Sequence, residues 1–182
     1  RHMPSYKVIP SVLDELNEAG VKDEDIVIVF ALGSHGAHTE EKKRHIVGDE
    51  IYERIRCIDS DMNDTKHLGT TKRGRPVDIF TPVAEADFKI CMGNIEYHYF
   101  AGYSGGAKAI MPGVSTRDAI QNNHSAMVMP EAHAGLLDGN PVREDIEESG
   151  EILGIDFIVN VVLNEKKEII KDGACLTASL YA

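Results

Sequence analysis

Three apolar stretches stand out in a chain that otherwise alternates polar turns with amphipathic segments. Ile26-Val27-Ile28-Val29-Phe30-Ala31-Leu32 is an uninterrupted, β-branched run, the composition of a strand covered on both faces. The stretch from Phe88 to Met92 and the run from Phe157 to Leu163 have the same character. Between them, apolar positions recur at helical spacing. Val12, Leu13, Leu16 and Ala19 predict a helix that starts at Pro10 or Ser11 and stops at Gly20. Thr39, followed by Glu40 and Glu41, reads as an N-cap and acidic first turn of a helix towards Ile46. Further helices are expected over Glu50 to Arg54, Pro82 to Ala86, Thr116 to His124 with Ser115 as cap, and Asp145 to Leu153. Leu68 to Ile79 folds back around Arg73-Gly74 as a hairpin, and Glu168-Ile169-Ile170 is a hairpin partner for the last apolar run. Strands alternating with helices predict the α/β class: a largely parallel, Rossmann-like sheet with flanking helices and antiparallel hairpin additions. Residues 1–182 read as a single α/β domain.

Composition narrows the function. The net charge of −11 argues against nucleic-acid or anionic-membrane partners, and no apolar run reaches the roughly 20 residues of a membrane span. Three scattered cysteines, Cys57, Cys91 and Cys175, lack metal-ligand spacing and imply no disulfide framework, so a reducing, cytoplasmic setting is expected.

Chemistry concentrates after two of the strands. Gly93 to Lys108 packs one imidazole, one amine and four glycines into a single loop. Glycines let backbone approach a ligand, and successive N–H groups at Ser104-Gly105-Gly106 can form an anion nest. The loop lacks the spacing of a P-loop or of the dinucleotide fingerprint, which leaves Lys108 open to a covalent role with a cofactor. Gly33-Ser34-His35-Gly36-Ala37-His38 follows the first strand, at the carboxyl end where open α/β sheets bind ligands. His35 and His98 therefore emerge from two strand ends and can flank one substrate. His35-x-x-His38 is too tight for two zinc ligands on one helical face, and no Cys or Glu completes a triad nearby. His124 suits either a metal whose other bonds come from a cofactor or a helix C-terminus.

The segments Gly93-Asn94-Ile95-Glu96, His98 to Lys108, Pro112-Gly113 and Asn123-His124-Ser125 resemble the nickel-dependent lactate racemase family. Ala31-Leu32-Gly33-Ser34-His35 and Leu68-Gly69-Thr70-Thr71 resemble its earlier segments. The resemblance implies a racemase or epimerase of a small-molecule 2-hydroxy acid, lactate or a related acid. It implies a nickel pincer nucleotide, pyridinium-3,5-bisthiocarboxylic acid mononucleotide, that holds nickel by one carbon and two sulfurs. Transferred residue by residue, Lys108 carries the cofactor as a thioamide and His124 is the fourth nickel ligand. His35 and His98 are the paired acid/base residues, with His38 an alternative to His35. Phe100, Ser104, Gly105 and Gly106 pack around the cofactor, and Arg1 matches the arginine that grips the substrate carboxylate. The reaction implied is proton-coupled hydride transfer to the cofactor and back to the other face. Gly36 departs from the family's usual arginine. Family members are roughly twice this length, so the chain reads as the N-terminal catalytic domain of a two-domain protein lacking its C-terminal domain. A phosphate- or nucleotide-binding domain without nickel, or an inactive fragment, is the alternative.

Overall fold

Burial of the periodic apolar positions sets the architecture of the computed structural model, which describes residues 3–176. In chain order the elements are α1 (Ser5–Glu18), β1 (Val27–Phe30), α2 (Glu40–Val47), α3 (Asp49–Arg54), β2 (Arg56–Asp59), β3 (Thr65–Thr70), β4 (Pro76–Phe80) and α4 (Thr81–Ala84). They continue as β5 (Ile90–Asn94), β6 (Tyr97–His98), β7 (Gly102–Tyr103), α5 (Arg117–His124), α6 (Pro141–Leu153), β8 (Phe157–Leu163) and β9 (Ile169–Leu176). The class is α/β, with parallel and antiparallel pairing both present. β1 pairs with β2 and β5 with β8 in parallel, while β3–β4, β6–β7 and β8–β9 are antiparallel. Among the described residues these ladders remain separate rather than joining into one sheet.

Two apolar cores hold the elements. In the smaller, Ile9 and Leu13 of α1 pack with Phe30, Leu32, Val47, Ile51 and Ile55. The larger spans β4, β5, the segment from Phe100 to Val114, α5, α6 and β8.

Several boundaries differ from the pattern. α1 begins at Ser5, so Pro10 lies inside it. Pro10 is exposed, and the Tyr6 carbonyl that loses its donor is on the same exposed face, while buried Ile9 and Leu13 anchor the other. Thr116, not Ser115, caps α5: its Oγ1 accepts the Ala119 N–H at 3.1 Å, and the Ser115 hydroxyl instead donates to the Ile110 carbonyl at 3.0 Å. α6 starts at Pro141 because Asn140 caps it, accepting from the N–H groups of Val142 and Arg143 at 3.1 and 3.2 Å. Thr39 caps α2 as expected, accepting the Lys42 N–H at 3.2 Å. Among the described residues no helix is long and apolar enough to cross a membrane.

Candidate functional site

The glycine loop is built as a knot of short-range bonds at the end of β5. The Ser104 hydroxyl donates to the Asn94 carbonyl at 2.6 Å and accepts the Glu96 N–H at 3.0 Å, closing the β6–β7 hairpin onto the strand end. Gly102 sits at φ +72°, and a Cβ there would lie 2.0 Å from the Leu136 carbonyl oxygen. Only glycine lets the hairpin dock on the following loop this closely. Gly105 and Gly106 are buried, and the Gly106 N–H donates to the Asn160 Oδ1 at 3.3 Å. The N–H groups of Ser104 and Lys108 go to the carbonyls of Glu96 and Gly105. Three backbone donors of this stretch are thus already taken, two within the loop and one by Asn160 of β8.

Phe100 is the hub of the site. It is 5% exposed, and Asn140 donates to its carbonyl at 2.9 Å. The His98 ring meets it edge-on at 4.6 Å, and the His124 ring does so at 4.9 Å. Lys108, on the 3-10 turn Gly106–Ala109, places its Nζ 6.0 Å from the centre of the same ring. Sequence-distant residues 98, 108 and 124 therefore meet around one phenyl group.

The two imidazoles are bonded differently. His98 is buried, and its Nδ1 accepts the Ala101 N–H at 3.2 Å. In its neutral form its proton is therefore on Nε2, a tautomer assigned from the bonding partner. The His124 Nδ1 lies 3.1 Å from the Asn123 Oδ1. Burial holds the pKa of His124 below the usual histidine value, and the Lys108 ammonium pushes the same way, against a backbone bond to Ile120. A neutral imidazole is the form that binds metals.

His35 lies on the turn after β1, with its side chain exposed. That turn is tied to the segment after Lys108, since the Gly33 N–H donates to the Gly113 carbonyl at 2.8 Å. A Cβ on Gly113 would lie 2.0 Å from the Ala109 carbonyl oxygen and 2.8 Å from Ala31 Cβ, so glycine is required for the two segments to touch. His38 is engaged elsewhere. Its ring packs edge-on against Phe30 at 5.4 Å, and its backbone N–H donates to the Asp59 carboxylate at 3.0 Å, which also pairs with Lys43 at 3.0 Å. Burial is the main force lowering the His38 pKa. Arg1 lies outside the described residues.

Sequence reasoning passed over the residues that hold His124 in place. Arg75, read only as part of a hairpin turn, bonds the carboxylate of Asp145, the Asn122 carbonyl and, at 3.2 Å, the Ser125 hydroxyl. It thereby caps the carboxyl end of α5, where a cation is favoured. Asp145 is 1% exposed, and burial pushes its carboxyl up while Arg75 pulls it back. Among the described residues no group of three or more His, Cys, Asp or Glu could hold a metal ion.

The family model of the lactate racemase N-terminal domain matches residues 1–135. The chain belongs to that family. It is 34% identical to a lactate racemase of Lactiplantibacillus plantarum and 30% identical to that of Thermoanaerobacterium thermosaccharolyticum, over 93% of the chain in both cases. It spans only 41% of either relative's length. The fold matches the lactate racemase apoprotein of T. thermosaccharolyticum with a TM-score of 0.90 at 29% identity, covering 97% of this chain and 43% of that one. A Thermotoga maritima protein shares the fold alone, with a TM-score of 0.76 at 21% identity over 96% of this chain and 47% of that one.

Proposed function

We propose that this chain forms the cofactor-bearing part of a racemase or epimerase of a 2-hydroxy acid, lactate or a close analogue. The observation that carries the reading is the meeting of Lys108, His124 and His98 around Phe100. These residues fit a nickel pincer nucleotide. Lys108 supplies an amine for the thioamide link, and His124 supplies a neutral imidazole as the ligand that the carbon and two sulfurs leave open. When bound, the cofactor supplies a hydride acceptor, which avoids removing a weakly acidic α-hydrogen as a proton.

The chain's own residues handle the hydroxyl proton. His98 and His35, from different strand ends, serve as acid and base, exchanging roles with the direction of reaction. His98 begins with its proton on Nε2. To act as a base at that nitrogen it must first shift its single hydrogen from Nε2 to Nδ1, which gives up the bond from the Ala101 N–H. His35 is the partner rather than His38, whose ring is packed on Phe30 and Asp59. Phe100 walls the site, and Ser104, Gly105 and Gly106 shape the loop around it. Arg1 is the proposed grip on the substrate carboxylate. The remaining length found in the relatives is the proposed second domain closing over the site.

The test is racemisation of D- and L-lactate, followed by chiral chromatography, with full-length protein produced alongside the cofactor pathway and nickel. Replacement of Lys108, His98 or His35 by Ala is expected to abolish conversion, whereas His38→Ala lowers stability and retains turnover. Full turnover by the His98→Ala and His35→Ala proteins would refute the acid/base assignment. Undiminished conversion by Lys108→Ala would refute the covalent one.

A further inference from the structure

We propose that Asn123 is a positioning residue that fixes the His124 ring with its hydrogen on Nδ1, so that Nε2 keeps its lone pair as the donor atom. The role as nickel ligand rests on the function proposed above; the ring state itself does not. Asn123 is 1% exposed, next to His124 at the end of α5. Its Nδ2 donates to the Val142 carbonyl at 3.0 Å. A carbonyl oxygen only accepts, so the amide nitrogen must face Val142 and the amide oxygen must face the other way. That oxygen lies 3.1 Å from the His124 Nδ1. It too only accepts, so Nδ1 must carry the hydrogen. The Ile120 carbonyl also bonds the ring and only accepts, so it too is served by a ring N–H. With the one hydrogen of the neutral ring on Nδ1, the lone pair is on Nε2. Ligating histidines generally owe their tautomer to a bond of this kind from the other ring nitrogen.

The bond is itself anchored. Val142 lies in the first turn of α6, whose cap, Asn140, also binds the Phe100 carbonyl. The wall of the site and the orientation of its ligand are thus set from one helix terminus. Asn123 could merely satisfy the Val142 carbonyl, and the ring tautomer separates the two roles.

Long-range nitrogen–proton NMR of the imidazole, on the metal-free protein at pH 8, reads the tautomer directly. The wild type is expected to show His124 with hydrogen on Nδ1. Asn123→Ala is expected to shift it towards the Nε2–H form that free histidine favours, and Asn123→Asp, which keeps an acceptor, to restore the Nδ1–H form. In cofactor-loaded full-length protein, nickel retention measured by metal analysis should fall about 10- to 100-fold in Asn123→Ala. A wild-type ring carrying its hydrogen on Nε2, or an Asn123→Ala protein with the wild-type tautomer, would overturn the proposal. If Asn123→Ala does not fold, the wild-type and Asn123→Asp spectra decide. The expected tautomer in a protein that takes up no nickel would support the positioning and refute the nickel reading.

Discussion

Replacing Phe100 tests the hub on which the site is organised. Its ring is 5% exposed and carries edge contacts from His98, Tyr99 and His124 within 4.6 to 4.9 Å. Phe100→Ala removes a nearly fully buried phenyl and leaves a cavity between two imidazoles, a change that costs about 3–5 kcal/mol. Phe100→Leu keeps most of the volume and should cost about 1 kcal/mol. With a urea m-value of about 2 kcal/mol/M, the alanine variant lowers the denaturation midpoint by roughly 2 M and the leucine variant by about 0.5 M. Far-ultraviolet circular dichroism in urea at pH 7 measures both. The imidazole protons of His98 and His124 should also move together in the leucine variant, because both lose the same ring current. An alanine variant less than about 1 kcal/mol below wild type, with unchanged imidazole resonances, would mean that Phe100 does not join the two histidines.

Three further outcomes follow from the packing around the hub. Burial pushes the Glu147 carboxyl from its ordinary 4.5 up to about 7, against the pull of Arg143. Its folded pKa lies above its unfolded one, so the folded state holds the extra proton and stability falls as pH rises from 4.5 towards 7, by about 3 kcal/mol at most. Glu147→Gln should flatten that slope in urea titrations run at several pH values, and an unchanged slope would refute the assignment. Arg75→Met strips the guanidinium from Asp145, which is 1% exposed, and should cost about 3 kcal/mol by urea unfolding, with much of the loss recovered in the double variant Arg75→Met/Asp145→Leu. Gly113→Ala forces a methyl to 2.0 Å from the Ala109 carbonyl oxygen and should cost about 2–3 kcal/mol, read as a lowered thermal midpoint.

The elements were largely legible because burial and periodicity coincide in them. The run from Phe157 to Leu163 is β8 residue for residue, and Thr39 caps α2 as its position implies. Boundaries slipped where side-chain capping decides. Asn140-Pro141 looks like a turn, yet it is the cap and first residue of α6, and the turn and cap readings share the same residue types. Pro10 looked like a start, yet apolar anchors on both sides of it carried α1 five residues further back. At the site, His98, Phe100, Lys108 and His124 were visible as residue types and motif. Their meeting depends on long-range packing of the glycine loop against α5, which leaves no local trace. Asn123, Arg75, Asp145 and Asn160 were missed for the same reason, since each acts through a partner at least 19 positions away or on another element. Asn123 alone had a local signal, its place immediately before His124.

The measurement closest to the central claim is peptide mapping by mass spectrometry of the full-length protein produced with the cofactor pathway and nickel. The account predicts a cofactor-sized mass increase on the peptide containing Lys108, on no other lysine, and lost in Lys108→Ala. A Lys108 peptide of unmodified mass in protein that racemises lactate would contradict it.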